Sequence, residues 1–237
     1  MTKPNSSTAL VTAVIPVYNG QRYLAEAIDS VLAQDYGAVE GLVIDDGSTD
    51  GSAEIARSYG GHIRYYYQPN GGLSAAQNAG VAGARSEFIA YLDCDDLWVP
   101  GKISLQMEVF RVQPEADMVF GHVEQFYSRE PGEEHTGDLP VAPEVMAGYS
   151  TGTMLARLDV FKVAGLFSSE FRVGEFLDWY ARANDAGLVS VMLKDVLLKR
   201  RIHADNMGVR DRDKRGDYLR VFKASLDRRR QKKPGGN

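Results

Sequence analysis

Three short polar clusters hold the side chains that could do chemistry. Asp93-Cys94-Asp95-Asp96 packs three carboxylates into four residues, directly after the apolar run 88–92. Carboxylates this close repel one another and resist burial unless something compensates them. A divalent cation is the natural compensator. Mg²⁺ and Mn²⁺ take oxygen ligands, often one or two carboxylates together with substrate phosphates. The competing explanation is a solvated acidic turn that caps the next helix, and it would win for an isolated Asp-x-Asp. The second cluster is Asp45-Asp46-Gly47-Ser48-Thr49-Asp50. Its glycine permits a tight turn, and its hydroxyls and Asp50 can cap a helix. Capping does not call for two adjacent carboxylates. An aspartate there could accept a hydrogen bond from a base N–H or a ribose hydroxyl. The third cluster is Tyr18-Asn19.

The pattern between the clusters predicts a frame that brings them together. Residues 10–17 form an apolar, β-branched run that ends in the turn signal Tyr18-Asn19-Gly20. Leu24, Ala27, Ile28, Val31 and Leu32 recur at helical spacing, so 21–34 is predicted helical. Further strands are predicted over 41–44, 63–67 and 88–92 and from 118, with helices over 49–59, 71–84 and 100–113 between them. Such alternation implies right-handed βαβ units and a mainly parallel sheet. Ligands then sit beyond the carboxyl ends of the strands. All three clusters fall at such ends and converge on one edge. Residues 128–149 are rich in Pro, Gly and Glu and read as a surface loop. After them come a segment 151–156, helices near 157–164 and 176–186, and a strand over 188–198. Tyr218, Phe222 and Leu226 recur every fourth residue, which predicts a basic amphipathic helix.

Charge and composition narrow the function. The chain has 237 residues, which suits one large domain over 1–215 followed by a basic helix and tail over 216–237. The net charge is −5, but residues 199–237 hold 14 Lys/Arg against 5 Asp/Glu, and residues 1–198 hold 13 against 27. An acidic body argues against nucleic acid as a partner and suits metal chemistry. A basic tail suits an anionic surface such as a membrane face. The simpler alternative for the tail is a solvated helix that packs Tyr218, Leu219 and Phe222 on its own domain. The single cysteine, Cys94, excludes an intramolecular disulfide and a cysteine-rich zinc site. No apolar run approaches the roughly 18 residues that span a bilayer, and the polar start lacks a secretory apolar core. A cytoplasmic location is expected, at the inner face of the membrane if the tail docks there.

Taken in order, four stretches resemble the family 2 glycosyltransferases of the GT-A fold. They are Val14-Ile-Pro-Val-Tyr-Asn19, Ile44-Asp-Asp-Gly-Ser-Thr-Asp50, Asn70-Gly-Gly-Leu-Ser-Ala-Ala-Gln-Asn-Ala-Gly80 and Phe88-Ile-Ala-Tyr-Leu-Asp-Cys-Asp-Asp96. The likeness is strong over 10–127 and weaker over 150–206. It implies a Rossmann-like α/β domain with a mainly parallel central sheet flanked by helices. Residues 8–127 would bind nucleotide sugar and metal, and 150–206 would supply the base and acceptor contacts. The implied activity is an inverting transfer of a hexosyl or N-acetylhexosaminyl group, dependent on Mn²⁺ or Mg²⁺. The donor would be a nucleotide diphosphate sugar, most often a UDP-sugar. The acceptor hydroxyl would belong to a glycan, a lipid-linked molecule or a peptide, in glycan, polysaccharide or glycolipid synthesis. By position, Pro16, Tyr18 and Asp46 would line the nucleoside pocket, with Tyr18 stacked on the base and Asp46 accepting from the uracil N–H. Asp93 would lie near the ribose or donor sugar. Asp95 would hold the metal that bridges the diphosphate, with Asp96 as an alternative ligand. Arg200-Arg201-Ile202-His203 with Asn206 resembles the Arg-x-His region after the last core strand, where His203 would ligate the metal or touch the diphosphate.

Two departures from the family pattern bear on catalysis. Relatives usually carry Ala-Arg-Asn where this chain has Ala76-Gln77-Asn78, so a positive charge is missing. Relatives also usually carry Glu-Asp at the start of a later helix, the second acid being the base. Here the run is Gly174-Glu175-Phe176-Leu177-Asp178-Trp179, with Arg182 in its expected place. Phenylalanine cannot accept a proton, and an inverting transfer needs a carboxylate near the acceptor hydroxyl. Glu175 is the first candidate base and Asp178 the second, on nearly the same helix face. Against this, Glu175 could be only a helix-start acid favoured by the dipole. The rival function is a catalytically inactive sugar-nucleotide-binding or scaffolding protein of the same fold.

Overall fold

The computed structural model describes residues 9–127, 145–171, 173–203, 206 and 216–232. The polar start, most of the loop expected over 128–149 and the last residues of the tail lie outside them. The chain alternates through β1 (Val11–Val17), α1 (Leu24–Leu32), β2 (Val39–Asp45), α2 (Ser52–Ser58), β3 (Ile63–Tyr67), α3 (Leu73–Gly83) and β4 (Phe88–Tyr91). Then follow β5 (Leu97–Trp98), α4 (Lys102–Val112), β6 (Met118–Tyr127), β7 (Met146–Gly148) and β8 (Leu155–Arg157). The order closes with α5 (Val160–Ala164), α6 (Glu175–Asp185), β9 (Ser190–Ile202) and α7 (Gly216–Lys232).

The described strands form one sheet in the order β3-β2-β1-β4-β8-β6-β9-β5, with β7 paired to β6. From β3 to β4 every pairing is parallel, as the βαβ pattern requires. The second half is mixed. β8 runs antiparallel to β4 and β6, β9 runs parallel to β6, and β5 runs antiparallel to β9. The mainly parallel expectation therefore holds for the first four strands and gives way beyond them. β5, β7 and β8 have two or three residues each, too few to show a period in sequence. β1 is followed on one side by β2 and on the other by β4, so the order reverses between β1 and β4. That is where a sheet of this type opens a crevice at its carboxyl edge.

Both faces of the sheet are buried, which explains the unbroken apolar strands. On β1, Val11, Ala13, Ile15 and Val17 face a core shared with Leu24 and Ile28 of α1 and Ile103 and Phe110 of α4. Val14 faces the opposite core, with Ala76 of α3, Phe161 of α5 and Phe176 and Trp179 of α6. The Ala/Gly character of α3 reflects close approach, because a Cβ on Gly80 would collide with Val14. Among the described residues no helix is long and apolar enough to cross a membrane.

Candidate active site

The carboxyl ends of β1, β2 and β4 lie side by side, since Val17 pairs with Asp45 and Val14 with Tyr91. At the end of β1, Pro16 is buried in the strand and Tyr18 is 52% exposed. Asn19 takes a left-handed φ of 53°, a conformation asparagine tolerates. Its Oδ1 accepts from Thr49 N at 2.8 Å, and its own N–H donates to Ser48 Oγ at 3.0 Å. Gln21 N donates to Asp50 Oδ2, while Asp50 Oδ1 accepts from Ser52 N. The N-cap of α2 is Gly51, and Asp50 just ahead of it takes the first N–H of the helix and ties it to the β1 loop. The two loops are thereby zipped into one wall.

The paired carboxylates at the end of β2 prove to have work inside the chain. Asp45 is buried, accepting from Ser48 N at 2.8 Å and from the Tyr65 hydroxyl at 2.6 Å. Asp46 accepts from Gln68 Nε2 at 2.7 Å and from the backbone N–H groups of Gly71 and Gly72 at 2.9 and 2.8 Å. It thus shapes the loop ahead of α3. A carboxylate accepts about four hydrogen bonds, so one more donor fits on Asp46. Gly47 is required here, because its φ is +80° and a Cβ would lie 2.7 Å from Asn70 N.

The turn after β4 is held by residues more than a hundred positions away. Asp95 Oδ2 accepts from His203 Nε2 at 2.9 Å and from Asn206 Nδ2 at 3.1 Å. Asp96 is buried and accepts the Arg201 backbone N–H at 2.8 Å. Arg201 Nε donates to the Asp95 carbonyl at 2.9 Å, and its Nη2 pairs with Glu26 of α1 at 2.7 Å. The Arg201 guanidinium also sits over the rings of Tyr23 and Phe126. One arginine at the end of β9 therefore locks the turn to the sheet and to α1. His203 is the hydrogen-bond partner of Asp95, and its Nδ1 is buried without a partner among the described residues. His203 is thus brought onto Asp95, the carboxylate expected to hold the metal, and its contact orients that side chain.

What remains unmatched is negative charge. The Asp93 carboxylate makes no hydrogen bond among the described residues. Burial, Asp95 and Glu175 together push its pKa up to about 7, with Arg200 pulling the other way. Burial followed by Asp95 and Asp93 also raises Asp96 well above the carboxylate range. Asp95 Oδ1 accepts no bond among the described residues. These oxygens fit a hard cation that brings its own positive charge. Among the described residues no three of His, Cys, Asp and Glu form a preformed metal cage. The donor set therefore suits an ion held by one or two carboxylates plus a ligand's phosphates.

Glu175 opens α6 after Gly174, whose φ is +89°. Its charge is one of those that raise the Asp93 pKa, after burial and Asp95. Its own pKa is raised by burial, while the N–H groups at the start of α6 pull it down. Asp178 does not share this position. It is 3% exposed and accepts from Arg182 Nε at 2.9 Å and from Arg228 Nη1 of α7 at 3.0 Å. Expected as the second candidate base, it is instead a buried clamp between α6 and α7. Arg182 adds hydrogen bonds to the carbonyls of Ala164 and Leu166, which finish α5.

The sequence profile of Glycosyl transferase family 2 matches residues 12–161, well over half of the chain. The chain belongs to this family. Uncharacterised glycosyltransferases of Rickettsia typhi and Rickettsia prowazekii are each 32% identical to it, over 213 and 214 residues. Each alignment covers 85% of this chain, and it spans 66% and 67% of the respective relative. Among solved structures, Staphylococcus aureus TarS in complex with UDP superposes with a TM-score of 0.68 at 19% identity. That superposition covers 91% of this chain and 64% of the TarS fragment 1-349, while full TarS is covered to 39%. A TarS complex with UDP-GlcNAc superposes with a TM-score of 0.66 at 21% identity.

Both departures from the family 2 pattern have a structural setting. Gln77 is buried on α3, and its Oε1 has no hydrogen-bond partner among the described residues. Phe176 is buried and stacks on Tyr180 with ring centroids 5.8 Å apart, next to Phe120 and Trp179. Sequence reasoning singled out Arg200, Arg201 and Asn206 but gave them no partners: Arg201 clamps the turn, Asn206 donates to Asp95, and Arg200 is the cation acting on Asp93. The Arg-Arg-x-His run was the signal available for two of them.

Proposed function

We propose that the protein is a metal-dependent, inverting glycosyltransferase. It moves a hexosyl or N-acetylhexosaminyl group from a UDP-sugar to an acceptor hydroxyl in glycan, polysaccharide or glycolipid synthesis. The observation that carries this reading is the Asp93 carboxylate, which makes no hydrogen bond among the described residues and whose pKa is raised by burial, by Asp95 and by Glu175, the candidate base. The nucleotides bound by TarS favour UDP within the family. Tyr18, exposed at the end of β1, stacks on the base, with Pro16 beneath it and Asp46 offering its remaining acceptor position to the uracil N–H. Asp95 Oδ1 and the Asp93 carboxylate are the oxygens that would hold Mn²⁺ or Mg²⁺, with buried Asp96 behind them. The cation, when bound, supplies positive charge for the departing diphosphate. Glu175 takes the proton of the acceptor hydroxyl as that oxygen bonds to the anomeric carbon. The bond from that carbon to the phosphate oxygen breaks on the opposite face, and its electron pair leaves with UDP. The configuration inverts. A raised pKa suits a carboxylate in this task, since it strengthens the base. The acceptor is a glycan, a peptide or a lipid-linked molecule, and α7 gives this reading its membrane contact.

Calorimetric titration with UDP, GDP and dTDP, with and without Mn²⁺, tests the donor site. Manganese-dependent preference for UDP is expected, and Asp95→Ala should remove it. Unchanged manganese-dependent affinity in that variant would overturn the assignment. Phe176, buried where relatives usually carry the base, favours a second reading as an inactive sugar-nucleotide-binding or scaffolding protein. That reading gains if UDP binds but no UDP-sugar is transferred or hydrolysed.

A further inference from the structure

α7 has two unlike faces. Its inner face is fastened to the domain: Val221 is buried, and Arg228 reaches Asp178. The Tyr218 ring abuts the backbone at Gly174, where a Cβ would lie 3.2 Å from it. Its outer face presents Leu219, Phe222 and Leu226 at 75%, 64% and 38% exposure. These recur at spacings of three and four and so form one stripe. Phe222, Leu226, Tyr218 and Leu177 of α6 also line a cavity of about 300 Å³ that extends the stripe onto α6. Of the three side chains that the simpler alternative packs on the domain, Tyr218 abuts Gly174, Phe222 only lines the cavity beside α6, and Leu219 stands exposed.

Basic side chains border the stripe. The helix carries six Lys/Arg against two Asp. Lys223 and Arg230 lie on the apolar face itself and Arg229 at one edge, with Asp227 at the other and Arg220 turned further round, over the Phe171 ring. Lys223 makes no ion pair among the described residues. Arg220 and Arg229 pair with Asp217 and Asp185, in each case an exposed guanidinium on a largely buried carboxylate, so each arginine keeps donors free toward the outside. Apolar side chains at the centre of a face and long cationic ones around it match a lipid surface. The stems of Lys and Arg lie over acyl chains while their heads meet phosphates. A second copy docked face to face would match the stripe with its own apolar stripe but would set the basic side chains of the two helices against each other.

The geometry points to the outer face of α7 as a docking surface for an anionic lipid bilayer, on which the helix lies flat. Docking there would set the Gly174–Glu175 end of α6 beside the lipid surface. Only that consequence rests on the transferase reading, so a failed docking test leaves the donor site untouched.

The test is flotation of the full chain with phosphatidylcholine vesicles, with and without phosphatidylglycerol. It is run on the wild type and on Leu219→Glu/Phe222→Glu, two exposed sites whose change leaves the fold intact. Wild type should float with phosphatidylglycerol vesicles and lose binding as salt rises. The variant should bind at least about tenfold less, with unchanged UDP affinity and melting temperature. Equal flotation of both proteins, or no flotation of wild type on anionic vesicles, overturns the proposal. Light scattering that shows a wild-type dimer and a monomeric variant, without vesicle binding, assigns the stripe to a second copy instead.

Discussion

Replacing Asp178 by asparagine separates the two acids of α6. Asp178 holds Arg182 and Arg228 from a buried position, and Arg228 Nε and Nη2 have no other partner among the described residues. Removing one member of a buried ion pair costs about 3–5 kcal/mol, because the other charge is stranded. Here the two arginine side chains keep 21% and 30% exposure, and asparagine keeps one acceptor oxygen. The expected loss is therefore about 2–3 kcal/mol, with the larger part falling on the seating of α7. For a domain of this size the melting temperature falls by about 4–12 °C. Scanning calorimetry reads the stability, and turnover is measured well below both melting temperatures with saturating donor. Turnover should fall by no more than about tenfold, since a looser α7 shifts Glu175 without removing its carboxylate. A well-folded Asp178→Asn protein that loses about 10²-fold or more in turnover would refute the division of roles, as would an unchanged melting temperature.

Glu175→Gln should lower turnover by about 10²–10⁴-fold with UDP affinity unchanged. Calorimetry beside a product-release assay checks this, and full activity rules Glu175 out as base. The Glu175 pKa is raised, so the acid limb of the wild-type turnover profile should lie above the ordinary carboxylate range. Asp93 should make the metal-free protein less stable as pH rises. Its folded pKa, about 7, exceeds its ordinary value of 3.8. Between those values the folded state holds the proton that the unfolded state has released, so stability falls as pH climbs from about 4 to 7. In chelator-treated buffer, Asp93→Asn should therefore melt higher than wild type at neutral pH and lose that advantage near pH 4. Identical pH dependence in the two proteins would sink the charge assignment.

How much was legible follows the range of the interactions. The βαβ half could be read because helix period, strand composition and turn residues are all local, and its site clusters sit at strand ends. Asp50 at the start of α2 was legible for the same reason. The partners of the clusters were not. Asp96 meets Arg201 across 105 positions and Asp95 meets His203 across 108, and neither contact leaves a pattern at either end. The adjacent carboxylates Asp45 and Asp46 looked surplus to a turn. In fact Tyr65, Gln68 and the Gly71-Gly72 amides account for most of their acceptor positions. β7 and β8 stayed hidden because three-residue strands take their conformation from the neighbours they pair with.

Phe176 shows how packing and chemistry divide one turn of helix. Successive helix positions point about 100° apart, so 175 and 176 cannot face the same environment. Position 176 faces a cluster of Phe120, Trp179 and Tyr180. An acid there would lose its water and gain no partner among those rings, which would keep it protonated. Phenylalanine instead adds apolar contact and secures the start of α6. Position 175 carries a charge that is felt at Asp93, and the left-handed Gly174 sets the angle at which the helix begins. The same start of α6 is braced from behind by Tyr218 against Gly174 and by Arg228 on Asp178. The position of Glu175 therefore depends on how α7 is seated, so a load on α7 would be felt first at that carboxylate.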